Sequence, residues 1–173
     1  IVQGDSGGWN KPNEPMELDI SDYVGGDELT QIRFRLISNE SIVGGGWQYS
    51  GAPALAAMAA LRGGCDLAVI IAPSSVAGAI RGFSPNLIVR EVEGFKFTSK
   101  HVDEVVKSSE GYDCVVLGPG VGVDEEVFEA MRSIMSKLKA IGKPMVIDAD
   151  GLKALAGHLD VIRGANAVLT PHS

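Results

Sequence analysis

Five short apolar runs that alternate with segments of helical pattern constrain the fold of this chain more than any other feature. Most of their residues are apolar in unbroken succession, and they cover residues 66–72, 86–92, 112–117, 144–148 and 167–170. Strands of this kind are buried on both faces, and the helices between them cover a parallel sheet. The sequence therefore predicts an α/β fold, namely a doubly wound and mostly parallel sheet with helices on both faces.

The segments between these runs carry the start and stop signals of helices. Ser50 is expected to cap the first helix, Pro53 suits its first turn, and Gly63 with Gly64 should end it. Acidic residues begin the longest segment and lysines close it, as the helix dipole favours. The predicted helices cover residues 52–62, 74–81, 99–108, 124–141 and 151–156.

Composition excludes several classes of protein. A net charge of −7 and a pI near 4.9 argue against a nucleic-acid partner, because phosphate backbones require a basic surface. No apolar run approaches the ~18 residues of a membrane span, and we expect a cytoplasmic protein. Cys65 and Cys114 adjoin apolar runs and are expected to be free, buried thiols. His101 and His158 are expected on the surface, and no residues have the spacing of metal ligands.

Distinctive residues follow the apolar runs, where ligands of parallel α/β sheets bind. They are the triple glycine at 44–46, the glycine-rich turn at 118–122, Asp148-Ala149-Asp150, and Thr170-Pro171-His172. The glycine turns match neither a P-loop nor G-x-G-x-x-G, and they either make tight turns or approach a ligand. The two aspartates either cap a helix or support Mg²⁺ and a phosphate ligand. His172 is either a ligand contact or a structural histidine.

Four of these segments together resemble the signatures of the NAD(P)H-hydrate dehydratases that depend on ADP or ATP. They are Tyr-Ser-Gly-Ala-Pro-Ala-Leu-Ala-Ala at 49–57 with Leu-Arg-Gly-Gly at 61–64, Leu-Gly-Pro-Gly-Val-Gly at 117–122, Val-Ile-Asp-Ala-Asp-Gly-Leu at 146–152, and Leu-Thr-Pro-His at 169–172. The resemblance covers residues 42–173 and implies the N-terminal part of a ribokinase-like domain. Residues 1–41 are expected to be a tail or linker, or the end of a preceding NAD(P)H-hydrate epimerase domain.

The resemblance implies a repair activity on damaged nicotinamide nucleotides. ATP or ADP, with Mg²⁺, would phosphorylate the ring hydroxyl of NADH hydrate or NADPH hydrate, and loss of phosphate would restore the reduced dinucleotide. Ala52, His172 and the glycines of the turn (Gly118, Gly120, Gly122) would contact the dinucleotide. Asp148 and Asp150 would support the site or its magnesium. A homo-oligomer is expected.

Two departures from the family pattern qualify this resemblance. The Lys-Gly-x-x-Gly segment expected before Ile42 is absent, and the Gly-x-Gly-Asp turn that supplies the general base would follow Ser173. No catalytic residue is therefore expected within the chain, and residues 1–173 alone should be catalytically weak. Two alternatives remain open: another ribokinase-like kinase, acting on a thiazole or pyrimidine alcohol, and a non-catalytic nucleotide-binding module that lacks the base.

Overall fold

The computed structural model describes residues 49–171, and this part of the chain consists of alternating helices and strands. Two short 3₁₀ helices, Ser99–His101 and Leu159–Ile162, join these elements. In chain order the helices and strands are α1 (Gly51–Arg62), β1 (Val69–Pro73), α2 (Ser74–Arg81), β2 (Ile88–Val92), α3 (Val102–Ser109), β3 (Val115–Leu117), α4 (Glu125–Ala140), β4 (Met145–Ile147), α5 (Asp150–Ala154) and β5 (Ala167–Leu169).

Every predicted helix and strand of residues 49–171 is present, and the strands are shorter than their apolar runs. The predicted helix at 99–108 begins as a 3₁₀ turn, and the 3₁₀ helix Leu159–Ile162 was not predicted. The expected cap at Ser50 is wrong. Ser50 occupies the N-cap position, but its backbone is already helical (φ −83°, ψ −21°) and its side chain makes no capping hydrogen bond. The triple glycine at 44–46 lies outside the described residues.

All strand pairs within residues 49–171 are parallel, as predicted. They form two groups, β2–β1 and β3–β4–β5, which share no backbone hydrogen bonds in this part of the chain. Side chains join the groups instead, because Ile71 of β1 packs in the same core as Leu117 of β3. Val116 of β3 packs against the core under β1.

Burial differs among the strands. All five residues of β1 are buried, as its unbroken apolar run predicts. Strands β2 and β5 differ from that prediction: β2 is buried only at Val89 and Val92, and β5 exposes Val168 and Leu169. β1 also pairs on one side only, so the difference lies in how far other elements cover the faces of each strand, which residue type alone does not reveal.

Helix α4 shows how an amphipathic sequence forms the larger core. Its buried residues recur every three or four positions, which places them on one face of the helix; they are Val127, Ala130, Met131, Ile134, Met135 and Leu138. Helix α1 is less buried than its composition predicts, since Leu55 is exposed. None of the helices within residues 49–171 is long and apolar enough to cross a membrane.

Candidate functional site

A cavity of about 620 Å³ lies at the carboxyl ends of the strands. Four parts of the chain form its walls, and each follows the end of a strand or begins a helix. Tyr49 and Ala52 come from the start of α1, Lys96 from the loop after β2, and residues 120–124 from the turn after β3; Asp150 and Lys153 of α5 complete the wall. Parallel strands present their carboxyl ends at one edge of a sheet, which is where this fold class binds ligands.

Gly118 begins the glycine turn and lies directly against the backbone that follows β4. Its φ is +116°, and a Cβ built on it would lie 1.9 Å from the Asp148 carbonyl oxygen and 2.5 Å from the Gly151 nitrogen. No other residue fits there, because the clash would be with backbone and the φ is one that L side chains rarely adopt. Gly118 does not line the cavity, so it supports the turn from behind.

Gly120 and Gly122 both line the cavity but differ in their surroundings. A Cβ on Gly120 (φ +72°) would lie 3.0 Å from the Tyr49 carbonyl oxygen and 3.4 Å from the Ala52 Cβ. The close approach at Gly120 is therefore to the start of α1. A Cβ on Gly122 (φ +100°) would have no neighbour within 4 Å, so Gly122 is the glycine with open space before it.

Asp150 holds the far end of this turn through a buried carboxylate. The residue is 7% exposed, and its Oδ2 accepts a hydrogen bond of 3.1 Å from the Gly122 backbone N–H. Its Oδ1 accepts a hydrogen bond of 2.8 Å from Lys153 Nζ, one helical turn later. This hydrogen bond, followed by the charge of Asp150, raises the pKa of Lys153. Both carboxylate oxygens thus have a donor, and one of these donors is a cation.

Asp148 holds a different loop. Its Oδ1 accepts a hydrogen bond of 2.7 Å from the Thr170 hydroxyl, while the Thr170 N–H donates to the Ile147 carbonyl at 3.2 Å. Between the aspartates, Ala149 has φ 47° and ψ −118°, a strained backbone for a residue with a side chain. Asp148 does not line the cavity, and His172, which follows Thr170 by two residues, lies outside the described residues.

These contacts bear on the expected magnesium. Asp150 does not fit as a ligand of Mg²⁺, because the ion would displace a hydrogen-bonded N–H or lie beside the Lys153 ammonium. Within residues 49–171 no three His, Cys, Asp or Glu side chains are grouped so that they could hold a metal ion. The geometry favours the other role considered for Asp150, which is support of the site.

Lys96 belongs to the cavity wall, although its sequence context did not indicate it. The loop that carries it is fixed by Ser74, whose hydroxyl donates to the Gly94 carbonyl at 3.1 Å and accepts from the Gly94 N–H at 3.2 Å. Lys96 Nζ lies 3.1 Å from the Glu126 carboxylate and 3.8 Å from that of Asp124. The hydrogen bond to Glu126 is the main reason that the pKa of Lys96 is raised.

His101 supports the same loop, and its expected surface position is wrong. It is 3% exposed, its Nδ1 accepts a hydrogen bond of 3.1 Å from the Thr98 N–H, and its Nε2 lies 2.9 Å from the Glu93 carbonyl oxygen. With Nδ1 accepting, the proton is on Nε2 and is donated to Glu93. The pattern is a capping box in which histidine replaces the usual Glu or Gln. His158 is exposed, as predicted.

The two cysteines are free, as predicted. Cys65 is buried, whereas Cys114 is only partly buried. Burial is the main cause that raises the pKa of both thiols; Asp66 adds to the shift at Cys65, and Cys65 adds to the shift at Cys114. Neither thiol lines the cavity.

The structure thus brings together four of the seven predicted site residues, Ala52, Gly120, Gly122 and Asp150, at one cavity. Gly118 and Asp148 do not line the cavity but contact residues next to it. Tyr49, Lys96 and Lys153 also line the cavity but were not among the predicted site residues. Lys153 follows Asp150 by three residues in a helix, and this spacing was the one signal that could have revealed it.

Comparison with known proteins identifies relatives of this chain. A family model described as NAD(P)H-hydrate dehydratase matches residues 41–173. A bifunctional NAD(P)H-hydrate repair enzyme of Pyrobaculum aerophilum is 47% identical over 133 residues, which are 76% of this chain and 26% of that protein. An ATP-dependent (S)-NAD(P)H-hydrate dehydratase of Entamoeba histolytica is 41% identical over 133 residues, 76% of this chain and 43% of that protein. The chain therefore spans less than half the length of these relatives.

Solved structures show the fold. A ribokinase-like superfamily protein of Enterococcus faecalis matches with a TM-score of 0.60 and 20% identity, over 79% of this chain and 45% of that one. An ADP/ATP-dependent NAD(P)H-hydrate dehydratase of Bacillus subtilis matches with a TM-score of 0.50 and 21% identity, over 66% of this chain and 38% of that one. The predicted ribokinase-like α/β fold is confirmed. Because the family model covers more than half of the sequence, the chain belongs to the NAD(P)H-hydrate dehydratase family.

Proposed function

We propose that this chain provides the dinucleotide-binding site of an ATP-dependent NAD(P)H-hydrate dehydratase. The observation that supports it is one cavity at the carboxyl ends of the strands, in which Ala52, the glycine turn and Asp150 meet in a member of this family. The cavity size suits part of a dinucleotide, since small-molecule sites generally measure ~300–1,000 Å³. The substrate would be NADH hydrate or NADPH hydrate.

The proposed reaction converts a hydroxyl into a better leaving group. ATP transfers a phosphoryl group to the hydroxyl of the hydrated nicotinamide ring, and phosphate then leaves with the carbon–oxygen bonding electrons. Loss of a ring proton restores the double bond of the reduced dinucleotide. The described residues bind and orient the dinucleotide, and none of them is assigned the general base. Asp150 does not fit Mg²⁺, so no step is assigned to a metal held by this residue.

Ala52, Gly120, Gly122 and His172 are the residues that we propose for direct contact with the dinucleotide. Gly118 and Asp148 act in this proposal as supports of the turn and of Thr170. ADP as an alternative phosphoryl donor, Mg²⁺ as its counterion, a cytoplasmic location and assembly into a homo-oligomer stay predictions.

The first experiment measures binding and turnover separately. Calorimetric titration of the chain with NADH should show saturable binding, and a thiazole alcohol and a pyrimidine alcohol serve as control ligands. The full-length gene product should convert NADH hydrate to NADH when ATP is present, followed by the near-ultraviolet absorbance of the reduced ring. Binding of an alcohol in place of NADH would indicate another ribokinase-like kinase. NADH binding without turnover by the full-length gene product would indicate a non-catalytic module.

A further inference from the structure

Lys153 is a mostly exposed lysine that is nevertheless fixed at the cavity wall. Its side chain is 61% exposed, and its ammonium lies 2.8 Å from Asp150 Oδ1. An exposed lysine normally samples many rotamers, and ordering it opposes ligand binding. The ion pair with Asp150 orders Lys153 before any ligand arrives.

Asp150 can act as this anchor because its own position is fixed twice. Its side chain is 10% exposed, and its second oxygen accepts the Gly122 N–H from the glycine turn. One carboxylate therefore sets the position of both the turn and the ammonium. Lys153 has three N–H donors and Asp150 takes one, so two donors remain for a ligand in the cavity that Lys153 lines.

Lys153 is better suited to bind an anion than Lys96, the other lysine at this cavity. Lys96 lies beside two carboxylates, those of Asp124 and Glu126, whereas Lys153 has one carboxylate partner, which it shares with the Gly122 N–H. The whole chain carries a net charge of −7, which disfavours an anionic ligand unless cations are placed locally. The pyrophosphate of a dinucleotide is an anion of this kind.

We propose that Lys153 binds a phosphate group of the dinucleotide and that Asp150 is its positioning residue. The inference rests on the proposed function and adds to it the residue that recognises the pyrophosphate. The Lys153 ammonium donates charge-assisted hydrogen bonds to phosphate oxygens while Asp150 retains its bond to the Gly122 N–H.

The test compares two ligands that differ in their phosphates. Calorimetric titrations measure NADH and reduced nicotinamide riboside, which has no phosphate, against the wild-type chain, Lys153→Met, Lys153→Arg and Lys107→Met. Lys107 lies in the last turn of α3, away from the cavity. Lys107→Met is therefore the matched control, because it removes one positive charge elsewhere. Lys153→Met should weaken NADH binding roughly 10- to 150-fold, as expected for a charge-assisted hydrogen bond, and leave the riboside affinity unchanged. Lys153→Arg should retain most of the affinity, and Lys107→Met all of it.

Competition gives a second measurement on the same variants. Inorganic pyrophosphate should compete with NADH in the wild-type chain and much more weakly in Lys153→Met. Unchanged NADH affinity in Lys153→Met, or an equal loss for both ligands, overturns the role of Lys153 and leaves the proposed function standing. A wild-type chain that binds neither ligand refutes the proposed function and this inference together.

Discussion

Two aspartates separated by one residue hold two different loops because the backbone turns sharply between them. The strained Ala149 directs Asp148 toward Thr170 and Asp150 toward Gly122. A residue in this backbone region costs on the order of 1–3 kcal/mol, which the surrounding contacts must offset. Here the two carboxylate contacts, on either side of the strained residue, stabilise the turn.

Asp150→Ala should lower the free energy of unfolding by roughly 1–3 kcal/mol, because the Gly122 N–H loses its acceptor in a partly buried place. Asp150→Asn should cost less, since an amide oxygen can still accept that N–H. Urea denaturation measures both, with the exposed Glu104→Ala as control. Equal stability of Asp150→Ala and wild type would show that the contact contributes nothing to the fold.

The raised pKa of the two thiols lets us predict how the free energy of unfolding changes at alkaline pH. Burial raises the pKa of both thiols, so the folded chain retains these protons to a higher pH than the unfolded chain does. Their contribution is fully present below the unfolded pKa, about 8.5, and is lost as the pH rises through the folded pKa. Cys65 and Asp113 add to the shift at Cys114, while Lys143 and the Val115 backbone oppose it. The urea concentration at the unfolding midpoint should decrease as the pH rises above about 8.5. This decrease should be less steep in Cys114→Ala, and an equal decrease in both proteins would contradict this assignment.

At the scale of elements, the glycine turn and the start of α5 are packed backbone against backbone. Gly118 meets Asp148 and Gly151, and Gly151 in turn lies where a Cβ would be 2.8 Å from the Leu117 carbonyl oxygen. The backbone after β3 and the backbone after β4 therefore lie closer together than side chains at Gly118 and Gly151 would permit. This packing places residues 120–124 and Asp150 on the same wall.

Gly118→Ala should destabilise the fold far more than Gly122→Ala. Both substitutions place a side chain at positive φ, a cost of roughly 1–2 kcal/mol. Gly118→Ala also creates the clash with Asp148, whereas the Gly122 Cβ would meet open space. Thermal melting of the two variants measures the difference, and their dinucleotide affinities show whether Gly122→Ala obstructs the cavity. Equal melting temperatures would contradict the close backbone approach at Gly118.

At the scale of the whole molecule, local sequence patterns predicted the helices and strands but not which of them contact each other. Apolar runs and glycine signals identified every α-helix and strand of the described residues but not the 3₁₀ helix Leu159–Ile162, and the carboxyl-end rule placed Gly120, Gly122 and Asp150 together. Lys96 was missed because its role depends on the loop after β2 lying near the start of α4, which no short sequence window records. The burial of His101 likewise depends on Glu93, eight residues away. The exposure of β5 also depends on which elements cover its faces.

The separation of the strands into two groups has a mechanical consequence. Lys96 comes from the loop after β2, and other wall residues come from the elements after β3 and β4. A bound dinucleotide would therefore bridge two strand groups that, within residues 49–171, share no strand-to-strand backbone hydrogen bonds. Such a ligand acts as a cross-link, and it should slow amide hydrogen exchange in β1 and β4 alike rather than only near its own contacts. Exchange measured with and without NADH tests this. Protection confined to the turn after β3 would show that the two halves move as one body even when the cavity is empty.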